Sequence, residues 1–442
     1  MTQPTQADLI ITGGTILTMA EPEVIESGAV AVENGNIVFV GAASEAVKLF
    51  TAASVIDAAD CVVIPGLVNG HTHAAMSLLR GIADDLPLEE WLQNYIFPAE
   101  AKNLDEDFVY WGTTLACAEM LLGGVTTFCD MYLFEDSAAR AARDMGMRGV
   151  MGEVLYDFDS PNYGPIEKGF EYTETFIQTW KGDPLITPSV QPHALDTCAP
   201  ELLVRAKEMA DDYSVPLIIH VAETQSNRDY VTEKHGASSF VYLEKLGVLG
   251  ENFVADHAVW VDDEEMEIMA ERGVSVITNP ESNMKLASGW APIHRYLERG
   301  ITVGIGTDGA ASNNNLDMMG EMDSLAKLHK VYDTDPTHLS AKTVLSLATI
   351  EGARALGLGG QTGSLAVGKK ADIAILDFNK PHLVPMYDPF SHIVYSALAS
   401  DVRDVVVGGV PRVRGRRLVD TDLERILSNA RQLAGRVRSS LK

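Results

Sequence analysis

The chain has 442 residues, of which 46% are hydrophobic and 22% are charged, and this composition supplies a large apolar core and excludes a wholly disordered protein. Its 62 acidic residues outnumber the 34 basic ones, so the net charge is −28. Because an acidic surface repels phosphate backbones and anionic lipids, we expect neither nucleic acid nor a membrane as a partner.

The four cysteines lie at positions 61, 117, 129 and 198 and form no CxxC pair. This spacing is typical of neither a disulfide framework nor a thiolate zinc site, and it favours a reducing compartment. The N-terminal residues lack the basic and apolar regions of a signal peptide, and no apolar run approaches the roughly 20 residues of a membrane span. We therefore expect a cytoplasmic protein.

The two ends of the chain resemble each other in pattern. Residues 8–60 contain short strand-like runs with turns, including VENGNIV, in which two β-rich runs flank Asn-Gly. Residues 363–415 show the same kind of pattern, and residues 422–442 are predicted to form a helix. We predict one small discontinuous β-sandwich domain, built from residues 1–61 and 363–442.

The middle of the chain alternates strand and helix patterns. Helix-length segments, such as residues 200–213 and 263–272, separate short runs that are rich in Val and Ile. This alternation predicts an α/β fold, a (β/α)8 TIM-type barrel over residues 62–362, although a doubly wound sheet would also alternate. The eight predicted strands are residues 62–68, 125–129, 150–155, 185–191, 217–221, 253–256, 274–278 and 302–306.

Histidines and acids follow most of these strands directly. In a barrel the carboxyl ends of all strands open onto one face, so these side chains would converge, whereas in a doubly wound sheet they would spread along a line. Several histidines with one carboxylate suit a divalent metal such as zinc. The residues at strand ends are His71, His73, His193, His220, Glu223, His257 and Asp308.

The HxH spacing of the first two of these histidines suits metal binding. His71 and His73 are two apart in an extended segment, so both can point toward the barrel axis. We predict metal ligation by these two together with His220 and Asp308. Binuclear barrel hydrolases usually bridge two metals with a carboxylated lysine at the end of strand four, but that strand here, LITPSVQPH, contains no lysine. We therefore expect one divalent metal per subunit, with zinc as the first choice.

The ordered motifs PGLVNGHTH, LIIHVAE, DHAVW and GTDG, followed by GSLAVGKKADIAILD, resemble those of the amidohydrolase superfamily over nearly the whole chain. Within it, the chain is most similar to the 5-methylthioadenosine/S-adenosylhomocysteine deaminases. The segments that carry this second resemblance are HTHAAMSLLRGIADDLPLEEWL, HALDTCAPELL and NPESNMKLASGWAPI.

The resemblance implies catalytic roles for three residues. Asp308 would take a proton from the attacking water, and His257 would hydrogen-bond that water and hold it toward C6 of adenine. Glu223 would contact the base and shuttle protons, first to ring nitrogen N1 and then to the leaving ammonia. The alternative is that Glu223 has no catalytic role and that its carboxylate only stabilises a helix N-terminus.

The resemblance also implies substrate contacts. Glu100 would accept hydrogen bonds from the ribose hydroxyls, which suits a carboxylate facing a diol. His193 would also contact the substrate. Trp91 would form part of the wall of the base pocket, and Glu223 and Asp308 would also contact the base. A structural or packing role stays open for Glu100, His193 and Trp91.

The implied activity is hydrolytic deamination of 5′-methylthioadenosine, with S-adenosylhomocysteine and adenosine as further substrates, in a homo-oligomer. Family members that use S-adenosylhomocysteine often have an arginine after strand three, but residues 149–164 read GVMGEVLYDFDSPNYG. This difference favours the uncharged methylthio group. The alternatives are a deaminase of guanine, cytosine or an s-triazine, a metal-containing barrel that only binds ligands, and a cyclic-amide hydrolase.

Overall fold

The computed structural model describes residues 4–441, in which strands and helices alternate through the middle of the chain as predicted. The strands are β1 (Thr5–Thr12), β2 (Thr15–Leu17), β3 (Val24–Ile25), β4 (Gly28–Glu33), β5 (Asn36–Ala42), β6 (Phe50–Asp57), β7 (Cys61–Pro65), β8 (Leu67–Thr72), β9 (Val125–Tyr132), β10 (Arg148–Leu155), β11 (Ile186–Pro188), β12 (Gln191–Pro192), β13 (Leu217–Val221), β14 (Phe253–His257), β15 (Ser275–Thr278), β16 (Val303–Ile305), β17 (Ile373–Asp377), β18 (Val402–Val407), β19 (Val410–Arg414) and β20 (Arg417–Leu418).

The helices connect the barrel strands and also close the C-terminus. They are α1 (Ala43–Leu49), α2 (Leu88–Trp91), α3 (Phe97–Asn103), α4 (Glu106–Leu122), α5 (Glu135–Met145), α6 (Ile166–Trp180), α7 (Pro200–Tyr213), α8 (Gln225–His235), α9 (Ser239–Leu246), α10 (Asp263–Arg272), α11 (Pro280–Lys285), α12 (Ile293–Glu298), α13 (Met318–Asp333), α14 (Ala341–Leu347), α15 (Ile350–Ala355), α16 (Pro389–Tyr395) and α17 (Leu423–Ser440). Short 3-10 helices span Ala74–Leu79 and Ala399–Asp401, and a π-helical turn spans Leu92–Ile96.

The middle strands form a parallel (β/α)8 barrel. Strands β8 to β11 pair in sequence, as do β13 to β16, and single parallel bridges, one of them between Val190 and Leu217, join the two halves. On the opposite side, Asn69 and Thr307 exchange two hydrogen bonds of 2.8 and 2.9 Å across the seam between β8 and β16. The fold class predicted from the sequence is therefore confirmed.

Two of the predicted barrel strands differ in detail from the structure. The predicted strand 62–68 is two strands: β7 pairs with β2 and β17 outside the barrel, and only β8 enters it. The change of partner occurs at Gly66, within a continuous apolar run that hides it from sequence patterns. The predicted strand 185–191 is likewise interrupted and forms β11 and β12.

The terminal strands form two sheets in the described chain, one with the order β5-β4-β1-β6 and one with the order β20-β19-β18-β17-β7-β2-β3. The second sheet joins N-terminal and C-terminal strands directly, as a β-sandwich built from both termini requires. The predicted Asn-Gly hairpin connects β4 to β5, with positive φ at Asn34 and Gly35. The domain limits at residues 61 and 363 stay predictions.

Apolar side chains fill the barrel interior and the sandwich separately. Inward-facing residues of the barrel strands, among them Val68, Val150 and Ile218, form one buried cluster, and residues such as Ile11, Ile56 and Ile375 form the sandwich core. No helix in residues 4–441 is both long and apolar enough to cross a membrane.

A buried ion pair connects the barrel to the terminal sheet. Arg148, at the start of β10, donates through Nε to Asp372 Oδ2 at 2.9 Å, and both side chains are buried. Asp372 also accepts hydrogen bonds from Thr362 Oγ1 and the Gly408 N–H. These donors compensate the carboxylate for its loss of hydration.

Removing the cation of this pair should destabilise the fold. We expect Arg148→Met to lower the free energy of unfolding by about 3–5 kcal/mol, because Asp372 would remain buried without its counter-charge. Arg140 forms only exposed ion pairs with Glu106 and Asp136, so Arg140→Met should cost less than about 1 kcal/mol. Urea denaturation followed by circular dichroism measures both, and equal effects would refute the assigned role of the buried pair.

Candidate metal centre and pocket

The carboxyl ends of the barrel strands bring five predicted site residues together. His71 is the second-last residue of β8, and its ring centroid lies 4.8 Å from that of His73, 4.9 Å from that of His220 and 5.6 Å from that of His257. Asp308 follows β16 and completes the group. The convergence expected from a barrel, rather than a doubly wound sheet, is therefore observed.

Outer oxygen atoms orient the four imidazoles of this group. When Nδ1 donates a proton outward, the Nε2 lone pair is left free to face inward. The Nδ1 atoms of the imidazoles lie near these oxygens: His71 near Asp256 Oδ2 (3.0 Å), His73 near the Met131 carbonyl (2.5 Å), His220 near the His193 carbonyl (2.7 Å) and His257 near Asn283 Oδ1 (2.9 Å).

The inward-facing atoms crowd around one point. His71 Nε2 lies 3.2 Å from His220 Nε2, and Asp308 Oδ1 lies 3.3 Å from His73 Nε2 and 3.6 Å from His71 Nε2. Two imidazole nitrogens that both present lone pairs repel each other at such a distance unless a cation is shared between them. This donor set fits a divalent metal ion.

The electrostatics of the cluster also favour a bound cation. Burial lowers the pKa of His71, but the carboxylates of Asp256 and Asp308 outweigh it and raise the pKa to about 10. Burial opposes ionisation of Asp308, yet hydrogen bonds from His71 and His73 hold its pKa well below the usual range. Burial and the neighbouring histidines keep the pKa of His220 well below 6.5, so it is neutral and able to donate a lone pair.

Asp308 is fixed by its own hydrogen bonds. Its Oδ2 accepts from Ser282 Oγ at 2.6 Å and Ser312 Oγ at 2.9 Å, and its Oδ1 accepts from the Gly309 N–H at 2.7 Å. Asp308 itself has a φ of 62°, in the left-handed region, which costs a non-glycine residue conformational energy. The glycine turn predicted from GTDG therefore presents the carboxylate, with the strain at the aspartate.

Glu223 lies beside the cluster, just after β13. Its Oε2 is 3.9 Å from His257 Nε2, and its Oε1 accepts a hydrogen bond of 3.3 Å from Ser288 Oγ. Burial raises the pKa of Glu223 above its ordinary value. The carboxyl group therefore keeps its proton up to a higher pH than an exposed glutamate does. The side chain of Glu223 lines the pocket.

A cavity opens above the cluster, and Glu100, His193 and Trp91 all line it. Glu100 Oε1 accepts a 2.6 Å hydrogen bond from the buried Tyr132 hydroxyl, and burial raises the pKa of Glu100 to about 7. Burial lowers the pKa of His193 to about 3, so this ring is neutral. Trp91 is only 5% exposed and so combines core packing with the cavity wall.

Sequence patterns did not identify several residues that hold the site. Asp256, Asn283 and Tyr132 orient His71, His257 and Glu100 respectively. Two signals were present: Asp256 directly precedes His257, and Asn283 lies in the Asn- and Ser-rich segment after β15. Neither signal shows which ring or carboxylate the residue contacts.

The cavity wall is acidic and contains no lysine or arginine among the described residues. Carboxylates of Glu100, Asp196, Glu223 and Asp308 line it together with apolar side chains such as Leu88. The pocket that residues 4–441 form therefore offers an anionic group no side-chain cation to pair with.

Close relatives of this chain are known. A curated protein of Syntrophobacter fumaroxidans, named 5-methylthioadenosine/S-adenosylhomocysteine deaminase, is 54% identical over 430 residues, which cover 97% of this chain and 98% of the relative. A protein of Methanosarcina mazei, named 5′-deoxyadenosine deaminase, is 44% identical over 97% of this chain and 98% of its own length.

A solved structure is also similar to this chain. An adenosine deaminase from Xanthomonas campestris with bound zinc superposes with a TM-score of 0.97 at 39% identity, covering 99% of this chain and 100% of that one. The model of the amidohydrolase family matches residues 62–412, from β7 to β19. With the barrel, the strand-end cluster and these relatives in agreement, the chain belongs to the amidohydrolase family.

Proposed function

We propose that this protein is a metal-dependent deaminase of 5′-substituted adenosines, which converts 5′-methylthioadenosine and water into the inosine analogue and ammonia. The observation that carries this proposal is the position of Glu223, a protonatable carboxyl group beside the metal cluster in the wall of the cavity. The names of the relatives, which act on adenosine nucleosides, support it.

His71, His73, His220 and Asp308 would hold one divalent metal. Zinc fits this nitrogen-rich donor set, and zinc is present in the related adenosine deaminase structure. A divalent metal held there would lower the pKa of a coordinated water to about 7 and so supply hydroxide near neutral pH. Outer hydrogen bonds hold His73, His220 and Asp308 in place for this task, and a 3.0 Å contact with Asp256 holds His71.

Three side chains would then manage protons and orientation. Asp308 accepts a proton from the attacking water, and His257, held by Asn283, orients that water toward C6 of adenine. Glu223 donates a proton to N1, which makes the ring electrophilic at C6. It then takes up the proton of the new C6 hydroxyl as the carbonyl forms and delivers it to the departing ammonia, and the proton held by Asp308 returns to Glu223 through solvent before the next turnover. The raised pKa of Glu223 suits a group that must hold a proton at the start of the reaction.

The ribose and the base would contact different walls. Glu100, held by Tyr132, accepts hydrogen bonds from the 2′- and 3′-hydroxyls, and the neutral His193 contacts the sugar from the side of His220. Trp91 and neighbouring apolar side chains cover the adenine face. A carboxylate is an efficient partner for a diol because it can accept two donors.

The 5′-group should be uncharged. The amino-acid tail of S-adenosylhomocysteine carries a carboxylate, and no lysine or arginine of residues 4–441 lines the cavity to pair with it. We therefore expect 5′-methylthioadenosine and 5′-deoxyadenosine to be better substrates than S-adenosylhomocysteine.

Ammonia release from a substrate panel tests the proposal. We expect turnover of 5′-methylthioadenosine and 5′-deoxyadenosine, weaker turnover of S-adenosylhomocysteine, and none of guanine or cytosine. Dialysis against a chelator should abolish ammonia release, and added zinc should restore it, because the attacking water depends on the metal. Turnover of guanine or cytosine without turnover of any adenosine would instead support the alternative heterocycle deaminase.

Replacing the proton donor separates catalysis from metal binding. We expect Glu223→Gln to lower kcat on 5′-methylthioadenosine by about 10²- to 10⁴-fold, the usual contribution of general acid–base catalysis. Metal content, measured by elemental analysis, should remain unchanged, since Glu223 lies outside the four-ligand set. The exposed Glu233→Gln variant is the matched control, and a kcat equal to that of the control would exclude the shuttle role.

Removing the ribose acceptor should act mainly on binding. We expect Glu100→Ala to raise KM for 5′-methylthioadenosine by about 10- to 100-fold, which corresponds to one hydrogen bond to a charged group. Steady-state kinetics measures this effect, with Glu106→Ala on the exposed start of α4 as the control. If turnover of adenine as the free base fell to the same extent, Glu100 would not be the ribose contact.

A further inference from the structure

We propose that the C-terminal helix α17 positions Glu100 for ribose recognition, with Arg436 as the main positioning residue. This inference rests on the proposed function, because it assigns a task to Glu100 that only a nucleoside substrate requires. Arg436 touches neither the cavity nor the metal cluster and acts through the end of α3. Its side chain joins segments more than 330 residues apart in sequence.

Arg436 fastens the junction between α3 and α4. Its Nη1 lies 2.7 Å from Asp105 Oδ2, and its Nη2 donates to the Asn103 carbonyl oxygen. The guanidinium group also lies 5.5 Å from the ring centroid of Phe108, within the range of a cation–π contact. One side chain therefore holds the last residue of α3, the cap of α4 and the first turn of α4.

A second set of contacts connects α17 to α3, the helix that bears Glu100. Asn103 is 2% exposed, and its Nδ2 donates at 2.7 Å both to Ser440 Oγ and to the carbonyl of Ala99, the residue before Glu100. Lys102 Nζ donates to the Ser440 carbonyl at 3.1 Å. The final turn of α3 is thus attached to the final turn of α17.

The segment that bears Glu100 needs such support from outside. The chain enters α3 through the π-helical turn Leu92–Ile96, and π turns are rare, with a tendency to occur at functional sites. Glu100 is only 7% exposed, and a buried carboxylate can recognise a diol only if the surrounding shell keeps it in place. The contacts of α17 supply that shell on the side away from the cavity.

Kinetics of Arg436→Ala on 5′-methylthioadenosine, combined with Glu100→Ala, tests the inference. We expect Arg436→Ala to raise KM by about five- to tenfold with kcat within about twofold of wild type, since interacting residues show coupling of this size. Arg438→Ala, an exposed arginine on the same helix, should leave both constants unchanged. In the Glu100→Ala background, Arg436→Ala should raise KM by less than about twofold, because its effect passes through Glu100.

Three results would overturn the inference: a KM for Arg436→Ala equal to that of Arg438→Ala, an equal increase in KM with and without Glu100, or a fall in kcat alone. Ser440→Ala, compared with the neighbouring Ser439→Ala, gives the same test with a milder change if Arg436→Ala fails to fold. Ser440→Ala should raise KM, and Ser439→Ala should not. Absence of deaminase activity in the wild-type enzyme would refute the proposed function instead.

Discussion

The site depends on one constraint: each imidazole of the cluster must donate its Nδ1 proton outward so that its Nε2 lone pair faces the centre. Main-chain carbonyls of Met131 and His193 meet this requirement for His73 and His220. Buried side chains meet it for His71 and His257. Without those outer oxygens, the rings could rotate, and the close approach of two ring nitrogens at 3.2 Å would have no geometric basis.

The barrel makes this constraint achievable because its strands end on one face. Asp256 and His257 are consecutive in β14, yet they serve the cluster from different sides, one beneath His71 and one beside Glu223. Positive φ values at His257 and Ala258 turn the chain sharply where the strand ends. The buried carboxylate of Asp256 lies 3.0 Å from His71 Nδ1, where it can face the outward proton of that ring.

The acidity of the protein continues into the cavity, where carboxylates rather than cations provide the polar contacts. Recognition of a nucleoside in such a cavity depends on hydrogen bonds to the sugar and the base, and on the rigidity of the acceptors. Tyr132 holds Glu100 from inside the barrel, while α17 holds its helix from outside. The sequence predicts the C-terminal helix but indicates no function for it. Through its contacts with the helix that bears Glu100, it contributes to the pocket.

Sequence patterns alone predicted the class of fold, which the structure confirms, and indicated which strand-end residues would lie together. Both predictions depend on local signals, namely strand periodicity and the polar residue that follows each strand, together with one general property of barrels. The metal-ligand set and the role of Glu223 stay predictions. Tertiary structure alone decided where β7 leaves the barrel and which groups orient the site. The groups that orient the site act across contacts between distant segments; they are Asp256, Asn283, Tyr132 and Arg436. In a sequence, a buried polar residue looks the same whether its partner is a ligand, a carboxylate or a helix end.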